Sequence, residues 1–535
     1  MVSGLLDDTL QMSLPHFAPE LTLCVTIVVL LLVRILGADR WLSSSYLASV
    51  GTFVALLFAY TQFDDLKQID IGRIEMFTGL LVYDKFTVAL RLFLLFFTVL
   101  VISLTMLTGI PDREDGPDFY TLLLGSTIGM MLMVSANHLL MLFLAIEMTS
   151  VPSYVMVGFL KGRRVSSEAA FKYVVYGAGV AGVMLYGISL LMGILGTGSF
   201  PLLNDRVAMV VSEQAGMSDP VVRTLLLGIL MVLAGLAFKL SVFPFHFWCP
   251  DAFEGAPAEV AGFLSVASKA AAFALLLKFT LSFVSGPMGH MADIYLALGL
   301  AIGAIASVTA TFGNLAAYAQ TNIKRMLAYS TIAHAGYMLM AVAAMIVILT
   351  ARPGEVFSFQ EIEFQAARCV EGLLYYLAVY LFMNLGAFAV VALIRNEIYS
   401  EEIEDYNGLA AQVPALCLCM LICLFSLVGM PPLGGFVGKF MIFAAVYQSA
   451  QVHWFMWVVL MVGAINTVFS LFYYLRVLKA MYLAPRPEDA GLVQIPRMVS
   501  LYAVAITLPV VLLGFAVVQP ISAAAIDVAA VLLRN

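Results

Sequence analysis

Long apolar segments recur from one end of this 535-residue chain to the other. Most of them reach about 18 residues or more, which is long enough to cross a bilayer core of about 30 Å. Backbone groups surrounded by lipid must hydrogen-bond within their own segment, so each crossing is expected to be a helix. The alternating pattern of about ten residues that marks the strands of a membrane barrel is not present. The sequence therefore predicts an all-α polytopic membrane protein with about fourteen transmembrane helices and no separate soluble domain.

Hydropathy divides the chain into predicted spans that are joined by short polar connections. Their limits are 18–37, 46–62, 84–109, 119–136, 138–160, 170–196, 221–243, 258–284, 293–314, 326–349, 369–394, 412–447, 454–482 and 499–518. The acidic N-terminus, MVSGLLDD, lacks the positively charged region of a cleaved signal peptide. The first span is therefore expected to be retained.

Basic residues in the connections predict the orientation of the chain. They end or follow the first, fifth, ninth and thirteenth spans, which places all of them on one side of the membrane. These residues are Arg34, Arg40, Lys161, Arg163, Arg164, Lys324, Arg325, Arg476, Lys479 and Arg486. Because Lys and Arg are enriched in cytoplasmic loops, both termini are expected to face outward. The long connections 199–220 and 350–368 are expected to face outward as well.

Two spans contain sequences that a regular helix cannot accommodate. The seventh ends in LAFKLSVFPFHFWCP and the twelfth contains SLVGMPPLGGFVGKF, and both proline and clustered glycine interrupt helices. Spans four to eight and nine to thirteen each hold five helices, with the break in the fourth. A unit with an odd number of helices ends on the opposite side of the membrane, so two inverted repeats are predicted. Interrupted helices in matching positions indicate a transport site.

These repeats divide the chain into four predicted parts. They are an N-terminal three-helix segment (1–118), a first five-helix repeat (119–284), a second inverted repeat (285–482) and a C-terminal helix (483–535). Pro244 and Pro431 are 187 residues apart, and this offset sets Glu147 opposite His334. An offset of 183 residues, taken from a Ser-Tyr and a Gly-Tyr pair, sets Glu147 opposite Ser330 instead.

Four ionisable residues lie inside or beside the apolar spans: Glu147, Lys239, Lys269 and Lys439. A charge at bilayer depth costs about 2.5–3.5 kcal/mol on insertion scales, so such residues are functional by default. Burial favours a neutral amine and a nearby carboxylate favours the ammonium, so an amine between these influences changes protonation when its partner moves. We interpret the four residues as proton-carrying groups. The alternatives are that Glu147 only holds helices together, and that Lys239 and Lys439 extend to the membrane interface.

Further titratable side chains accompany these four residues. Lys269 lies at about the middle of the eighth span and Lys278 lies nine residues later. We expect a relay role for Lys269 and extension to the interface for Lys278, although the two assignments could be exchanged. His246 and His334 titrate near neutral pH, and they could pass protons between lysines or only hydrogen-bond within a polar pocket. Tyr329 lies near His334 and could join a hydrogen-bonded chain.

Other kinds of site have little support in the sequence. Residues 177–182 fit the pattern G-x-G-x-x-G, but they lie inside the sixth span with no strand before them. The context of a dinucleotide site is therefore missing, and glycine packing between helices explains the pattern better. The six cysteines have no spacing that suits an iron–sulfur cluster, and we interpret them as packing groups. No basic cluster indicates a nucleic-acid partner.

Three motifs resemble one known family. Residues 238–273, FKLSVFPFHFWCPDAFEGAPAEVAGFLSVASKAAAF, closely resemble the signature of the subunit N family of proton-translocating NADH-quinone oxidoreductase (respiratory complex I). Residues 322–339, NIKRMLAYSTIAHAGYML, and 429–440, GMPPLGGFVGKF, also resemble that family. The wider antiporter-like family includes sister subunits M and L of complex I and Mrp-type sodium/proton antiporter subunits. Subunit L carries an additional long lateral helix, for which this chain has no room.

The resemblance implies a proton channel through each inverted repeat. In such proteins the glutamate of the fifth span pairs with the lysine of the seventh, which match Glu147 and Lys239. The central lysine of the eighth span matches Lys269, and the lysine of the second broken helix matches Lys439. The remaining side chains at family positions are Lys172, His246 and Tyr329.

The same resemblance implies a subunit of a translocase that has no redox centre of its own. NADH, FMN, iron–sulfur clusters and quinone are expected elsewhere in the complex, and coupling is expected to arrive as an electrostatic change along the buried charges. The expected partners are other membrane-arm subunits, including sister antiporter-like subunits, and the lipid bilayer, and the expected location is a bacterial inner membrane. Two alternatives remain open, which are an Mrp-type sodium/proton antiporter subunit and a helical scaffold with unused charges.

Overall fold

The computed structural model describes residues 9–38, 41–68, 72–111, 115–160, 162–212, 219–284, 292–488 and 491–534. The helices within these ranges are α1 (Ala18–Ile35), α2 (Ser44–Gln68), α3 (Lys85–Thr108), α4 (Gly116–Ser135), α5 (Leu139–Val157), α6 (Arg164–Leu195), α7 (Phe200–Ser212), α8 (Pro220–Leu240), α9 (Trp248–Gly255), α10 (Ala258–Val284), α11 (Ala292–Ala317), α12 (Ile323–Leu349), α13 (Phe359–Ile398), α14 (Pro414–Val428), α15 (Gly434–Val452), α16 (Phe455–Tyr482), α17 (Arg497–Phe515) and α18 (Val518–Arg534). Short helical turns lie at Thr9–Ser13, Leu14–His16, Ile403–Tyr406 and Leu409–Ala411. The first eight residues, Arg40 and Lys161, on which some of the sequence predictions depend, lie outside the described residues.

A small β-hairpin precedes α3 and was not predicted. Strands β1 (Ile74–Met76) and β2 (Leu81–Tyr83) pair antiparallel, with Ile74 opposite Tyr83. Strands of three residues are too short to show the alternation of apolar and polar residues that identifies a strand in sequence.

The helices confirm the predicted membrane architecture. Thirteen described helices are long and apolar enough to cross a membrane, and a bent pair that includes α14 raises the number to fourteen. In our assignment α14 and α15 together make the crossing predicted at 412–447. The most buried helices are α10, α12 and α13, whereas α1, α2, α6, α16 and α17 bury less than a third of their apolar length. Of the polar side chains that the sequence singles out, α10 carries Lys269 and Lys278, and α12 carries Tyr329 and His334.

The connections between helices gather on two faces of the bundle. The face that we call the terminal face carries the β-hairpin, the α4–α5 and α6–α7 connections and α18; Leu81 pairs there with Ala136, and His138 with Ser199. The opposite face, which we call the basic face, carries the α11–α12 connection and the ends of α13 and α16. On it, Asn322 pairs with Glu402. Helix α4 starts at the basic face and α11 at the terminal face, so the two five-helix repeats are inverted.

Both repeats contain the predicted break in their fourth member. Helix α8 is capped at its C-terminus by Ser241, which has φ of 59°, and α14 by Gly429, which has φ of 90°. A proline follows each end within three residues, and its missing N–H and its ring prevent the helix from continuing. At the second break, a Cβ on Gly435 would lie 1.8 Å from Ser426 O, so only glycine permits α15 to begin against the end of α14.

The two long connections are more regular than expected. The predicted loop 199–220 contains α7, and the predicted loop 350–368 contains the first ten residues of α13. Residues 213–218 of the first connection lie outside the described residues. The start of α13 has a sequence signal that hydropathy alone does not detect, because Ser358 and Glu361 form a capping box. In it, Ser358 N donates to Glu361 Oε2 at 2.8 Å.

The G-x-G-x-x-G segment lies in the middle of α6, as the packing explanation requires. A Cβ on Gly177 would lie 1.9 Å from Tyr154 Oη, so this glycine permits α5 and α6 to approach. A Cβ on Gly179 or on Gly182 would have no neighbour within 4 Å. Close packing therefore accounts for the first glycine only.

Replacing Gly336 with valine should weaken the α11–α12 contact. A Cβ on Gly336 would lie 2.6 Å from Ala310 N, and a Cβ on Gly313 would lie 2.6 Å from Ala333 N, so the two backbones touch. Overpacking of this kind costs about 1–3 kcal/mol. We expect a lower temperature of heat inactivation for the purified complex. Gly182→Val is the control, and equal inactivation temperatures for the two variants would contradict the prediction.

Candidate functional site

Lys239 lies in the last turn of α8 and is 1% exposed. Its Nζ donates to Ser150 Oγ of α5 at 3.0 Å. Glu147 lies one turn before Ser150 on α5 and is half-buried, but among the described residues no ion pair within 4.0 Å joins it to Lys239. The structure therefore places the carboxylate and the amine on adjoining helices, with the hydroxyl of Ser150 as the direct contact.

Lys269 lies in α10 at the junction between the two repeats and is 1% exposed. Its Nζ donates to Leu240 O at 3.0 Å and to Thr331 O at 3.2 Å. Leu240 is the last residue of α8, where the break leaves carbonyls without a helical partner, and Thr331 belongs to α12. This amine thus connects the broken helix of the first repeat to a central helix of the second.

Lys439 has a matching environment in the second repeat. Its Nζ donates to Leu427 O at 2.9 Å and to Val428 O at 3.0 Å, at the carbonyl end of α14. The same Nζ lies 4.4 Å from the centre of the Tyr337 ring, where a cation is attracted to the ring face. In both repeats a buried amine therefore binds the carbonyl end of the first half of the broken helix, which is the end that favours positive charge.

His334 is buried in α12 between two tyrosines. Its Nδ1 lies 2.5 Å from Tyr376 Oη and its Nε2 lies 3.3 Å from Tyr474 Oη. Tyr474 also hydrogen-bonds Ser330. His334 is three residues from Thr331, whose carbonyl binds Lys269, so this cluster continues the polar contacts from the first repeat into the second.

The other predicted relay side chains lie apart from these contacts. His246 is 2% exposed, and its ring packs against Phe312 and Phe247 with centroids 4.4 Å away in both cases. Within the described part of the chain its Nδ1 has no hydrogen-bond partner. Tyr329 packs on the same Phe312 ring at 6.3 Å. The hydrogen bonds of His334 are made with Tyr376 and Tyr474, so a role for Tyr329 in that chain stays a prediction.

Lys172 lies at the basic face and is 37% exposed. Its Nζ contacts Glu168 Oε1 and Asp251 Oδ2, both at 2.8 Å. The second oxygen of Asp251 contacts Arg325 of α12 at 2.6 Å. Lys172 is therefore part of a chain of ion pairs that joins α6, α9 and α12, and so the two repeats, at this face.

Lys278 contradicts the expectation that it extends to the membrane interface. It is 8% exposed, and its Nζ donates to Val134 O at 2.5 Å and to Thr87 Oγ1 at 3.2 Å. The prediction was wrong because hydropathy gives depth in the membrane but not the face of α10. The apolar length of α10 is wholly enclosed by other parts of the bundle.

The buried amines lie in one row, whose members are linked by hydrogen bonds between helices and by short steps along a helix. Lys239 adjoins Leu240, whose carbonyl binds Lys269; Lys269 binds Thr331 one turn before His334. His334 hydrogen-bonds Tyr376, and Tyr337, which lies on α12 with His334, packs its ring against the amine of Lys439. Among the described residues, no carboxylate oxygen lies within 4.0 Å of these three amines. No group of three or more His, Cys, Asp or Glu within the described ranges could hold a metal ion.

Ser150, Tyr376 and Tyr474 are polar partners that sequence reasoning missed. Each lies in an apolar helix and far along the chain from the side chain that it contacts. Ser150 is 89 residues from Lys239, and Tyr376 and Tyr474 are 42 and 140 residues from His334. Their hydroxyls carry no charge, so hydropathy does not mark them. The only sequence signal is the polar group itself within a transmembrane segment.

Comparison with known proteins agrees with this arrangement. Residues 136–351 and 357–470 match the family model described as NADH:quinone oxidoreductase/Mrp antiporter, TM. The chain is 40% identical over 428 residues to NADH-quinone oxidoreductase subunit N of Anaeromyxobacter sp. (strain Fw109-5), with 78% of each chain covered.

Solved structures give the same fold. A chain of respiratory complex I from Thermus thermophilus with bound aureothin is 27% identical, with a TM-score of 0.69 over 94% of this chain and 98% of that chain. A chain of the Mrp complex from Dietzia sp. DQ12-45-1b is 18% identical, with a TM-score of 0.75 over 97% of both chains, and at that identity the likeness concerns the fold alone. The family match and the 40% identical relative together show that this chain belongs to the subunit N family of NADH-quinone oxidoreductases.

Proposed function

We propose that this chain is the membrane-arm subunit of an NADH-quinone oxidoreductase that moves protons through its buried row of amines. The observation that carries the proposal is the row of buried polar groups from Lys239 through Lys269 and His334 to Lys439, in which hydrogen bonds between helices alternate with short steps along one helix. It runs through the centre of the bundle and crosses from one inverted repeat to the other. Burying several ionisable side chains within the membrane is energetically costly, and a chain that only formed a scaffold would have no use for them.

The partners of these amines suit a group that gains and loses a proton. A backbone carbonyl or a hydroxyl accepts a hydrogen bond from an ammonium or from a neutral amine, so the contacts of Lys269 and Lys439 persist in both states. A carboxylate in direct contact would hold an amine charged. Glu147, one turn away from Ser150, acts in our proposal as the charge whose movement changes the protonation of Lys239.

Each repeat supplies one half of the row. In the division that we propose, 119–284 and 285–482 are the two transporting units, and 1–118 and 483–535 flank them. His246 and Tyr329 lie beside the row on Phe312, and Lys172 lies at its basic-face end. We assign Lys172 to the collection of protons from that side.

The basic face is, in this proposal, the cytoplasmic side of a bacterial inner membrane. Arg163, Arg164, Arg325, Lys479 and Arg486 belong to connections or helix ends on this face, and such residues are enriched on the cytoplasmic side. Both termini then lie on the periplasmic side. The relative from Anaeromyxobacter carries the name of a quinone reductase subunit, so we infer that NADH, FMN, iron–sulfur clusters and quinone are bound by partner subunits, among which are sister antiporter-like subunits.

Ion specificity separates this proposal from the alternative of an Mrp-type sodium/proton antiporter subunit. We expect the complex purified through a tag on this chain to contain flavin and iron–sulfur clusters. In liposomes it should acidify the interior when NADH and quinone are added to outward-facing enzyme. Acidification should be the same with potassium in place of sodium, because among the described residues no carboxylate oxygen lies within 4.0 Å of the amines of the row to bind a sodium ion. A sodium-dependent pH change in a complex without flavin would favour the antiporter.

A further inference from the structure

Lys278 is a further buried amine, and the row described above does not include it. It lies nine residues after Lys269 in α10, which is about 13 Å nearer the terminal face at 1.5 Å per residue. It is 8% exposed. A cationic side chain enclosed at this depth has a cost that calls for a use.

The surroundings of Lys278 repeat those of Lys269 and Lys439. Its Nζ donates to Val134 O at 2.5 Å, and Val134 lies in the last turn of α4, which ends at Ser135. Lys278 thus binds the carbonyl end of a helix inside the bundle, as Lys269 does at α8 and Lys439 at α14. Its second partner, Thr87 Oγ1 at 3.2 Å, is a neutral hydroxyl. The contacts are again ones that an ammonium and a neutral amine can both make.

A cavity of about 80 Å³ borders Lys278 on the side of the terminal face. Its polar lining includes Arg73, Asp84, Asn137 and Ser282. One water needs about 10–15 Å³ and two to four polar partners, so the cavity can hold several waters. Asp84 is 3% exposed and its Oδ1 accepts from Thr87 N at 2.7 Å, which fixes a carboxylate beside the cavity.

The cavity lies among the connections of the terminal face. Asn137 belongs to the α4–α5 connection and accepts a hydrogen bond from Arg73, which precedes β1. The end of α18 contributes Leu532 and Leu533 to the cavity wall. An ion pair between Lys85 and Asp527 anchors α18 over this region.

Three charged groups from neighbouring elements act on Lys278. They are Asp84 at the start of α3, Arg91 further along the same helix, and Arg73 from the segment before β1. Arg91 is already neutralised by Glu20 at 2.7 Å. Asp84 is therefore the carboxylate that can attract a proton released into the cavity.

We propose that Lys278 is a proton-carrying residue and that the cavity is a water-filled opening through which the first repeat exchanges protons with the terminal face. The inference rests on the proposed function and adds to it an exit in the first repeat. The ammonium of Lys278 gives one proton to a cavity water and becomes the neutral amine. The proton leaves past Asp84 to the solution, and one proton arriving from Lys269 restores the ammonium.

Cysteine labelling tests the opening without reference to pumping. Ser282→Cys places a thiol in the cavity wall, and Ser265→Cys is its matched control in the same helix. Ser282 Oγ donates to the carbonyl three residues earlier at 2.7 Å, and so does Ser265 Oγ, but Ser265 is fully buried away from the cavity. A small charged methanethiosulfonate added from the terminal face should modify the first thiol at least about tenfold faster, because water-filled space admits it. Equal rates would overturn the inference.

Replacement of the amine tests the proton step. Lys278→Met and Lys278→Arg should each lower NADH-driven acidification by liposomes containing the intact complex by about tenfold, because neither side chain releases a proton. Arg352→Met, at a residue whose side chain is 76% exposed, is the control and should match the wild type. Wild-type acidification by an assembled Lys278→Met complex would overturn the inference. Failure of the wild-type complex itself to acidify would instead contradict the proposed function, while the labelling result would stand.

Discussion

Replacing Lys239 with alanine in the assembled complex should abolish most NADH-driven proton translocation. Lys239 is 1% exposed and its Nζ contacts Ser150 Oγ at 3.0 Å, and alanine leaves no group at this position that can carry a proton. A positioned group that transfers a proton contributes about 10²–10⁴-fold to rate, and we expect a loss within that range. Quinone reduction should fall in parallel where coupling is tight. Acidification by liposomes and NADH oxidation, measured on the same preparation, check both expectations.

Lys239→Arg distinguishes proton transfer from a purely electrostatic role. Arginine retains the positive charge and can still reach Ser150, but it does not release its proton in proteins. If Lys239 carries protons, the arginine variant should be as inactive as the alanine variant. Recovery of pumping by arginine would show that only the charge matters. Glu147→Gln should also lose most of the pumping although Glu147 makes no ion pair with Lys239 within 4.0 Å in the described structure, because the amide removes the charge that, in our proposal, changes the protonation of Lys239.

Replacing Arg91 with methionine should prevent stable assembly of this chain. Arg91 and Glu20 are both fully buried, and Arg91 Nε lies 2.7 Å from Glu20 Oε1. Arg91 also donates to His16 O at 3.0 Å and to Ser135 Oγ at 3.1 Å, so it joins α1, α3 and α4. Removing one partner of a buried ion pair costs about 3–5 kcal/mol, because the other charge stays buried without compensation. The amount of chain in the purified complex and its temperature of heat inactivation measure this loss.

The double variant Glu20→Leu with Arg91→Met is the control for that prediction. Replacing both members of a buried pair with apolar side chains is often close to neutral, so the second change should restore much of the stability that the first one removes. Equal instability of the single and double variants would show that the hydrogen bonds of Arg91 to His16 and Ser135, and not the ion pair, hold the three helices together.

The sequence predicted the broken helices because their cause is local. Proline and glycine act on the backbone within a few residues, and Ser241 and Gly429 end their helices next to Pro244 and Pro431 as expected. The hairpin before α3 and the helix α7 escaped prediction. Their stability comes from contacts with the terminal face, such as the pairing of Leu81 with Ala136, and not from a strong local pattern.

The candidate site shows the same division. Glu147, Lys239, Lys269 and Lys439 stand out in sequence because a charge in an apolar segment is rare. The sequence did not show that Lys239 contacts Ser150 and not Glu147. The sequence also did not show that His246 lies among aromatic rings.

By itself, the sequence determined a bundle of membrane helices, two inverted repeats, the positions of their breaks and the four charges inside or beside the apolar spans. Hydropathy and the backbone chemistry of proline and glycine act along the chain, so they can be read from it. Only the tertiary structure decided that Lys269 binds Leu240 O and Thr331 O, and that Lys278 is enclosed and not extended to the interface. These contacts join residues 29 to 144 positions apart, and which helix faces another depends on side-chain packing across the whole bundle.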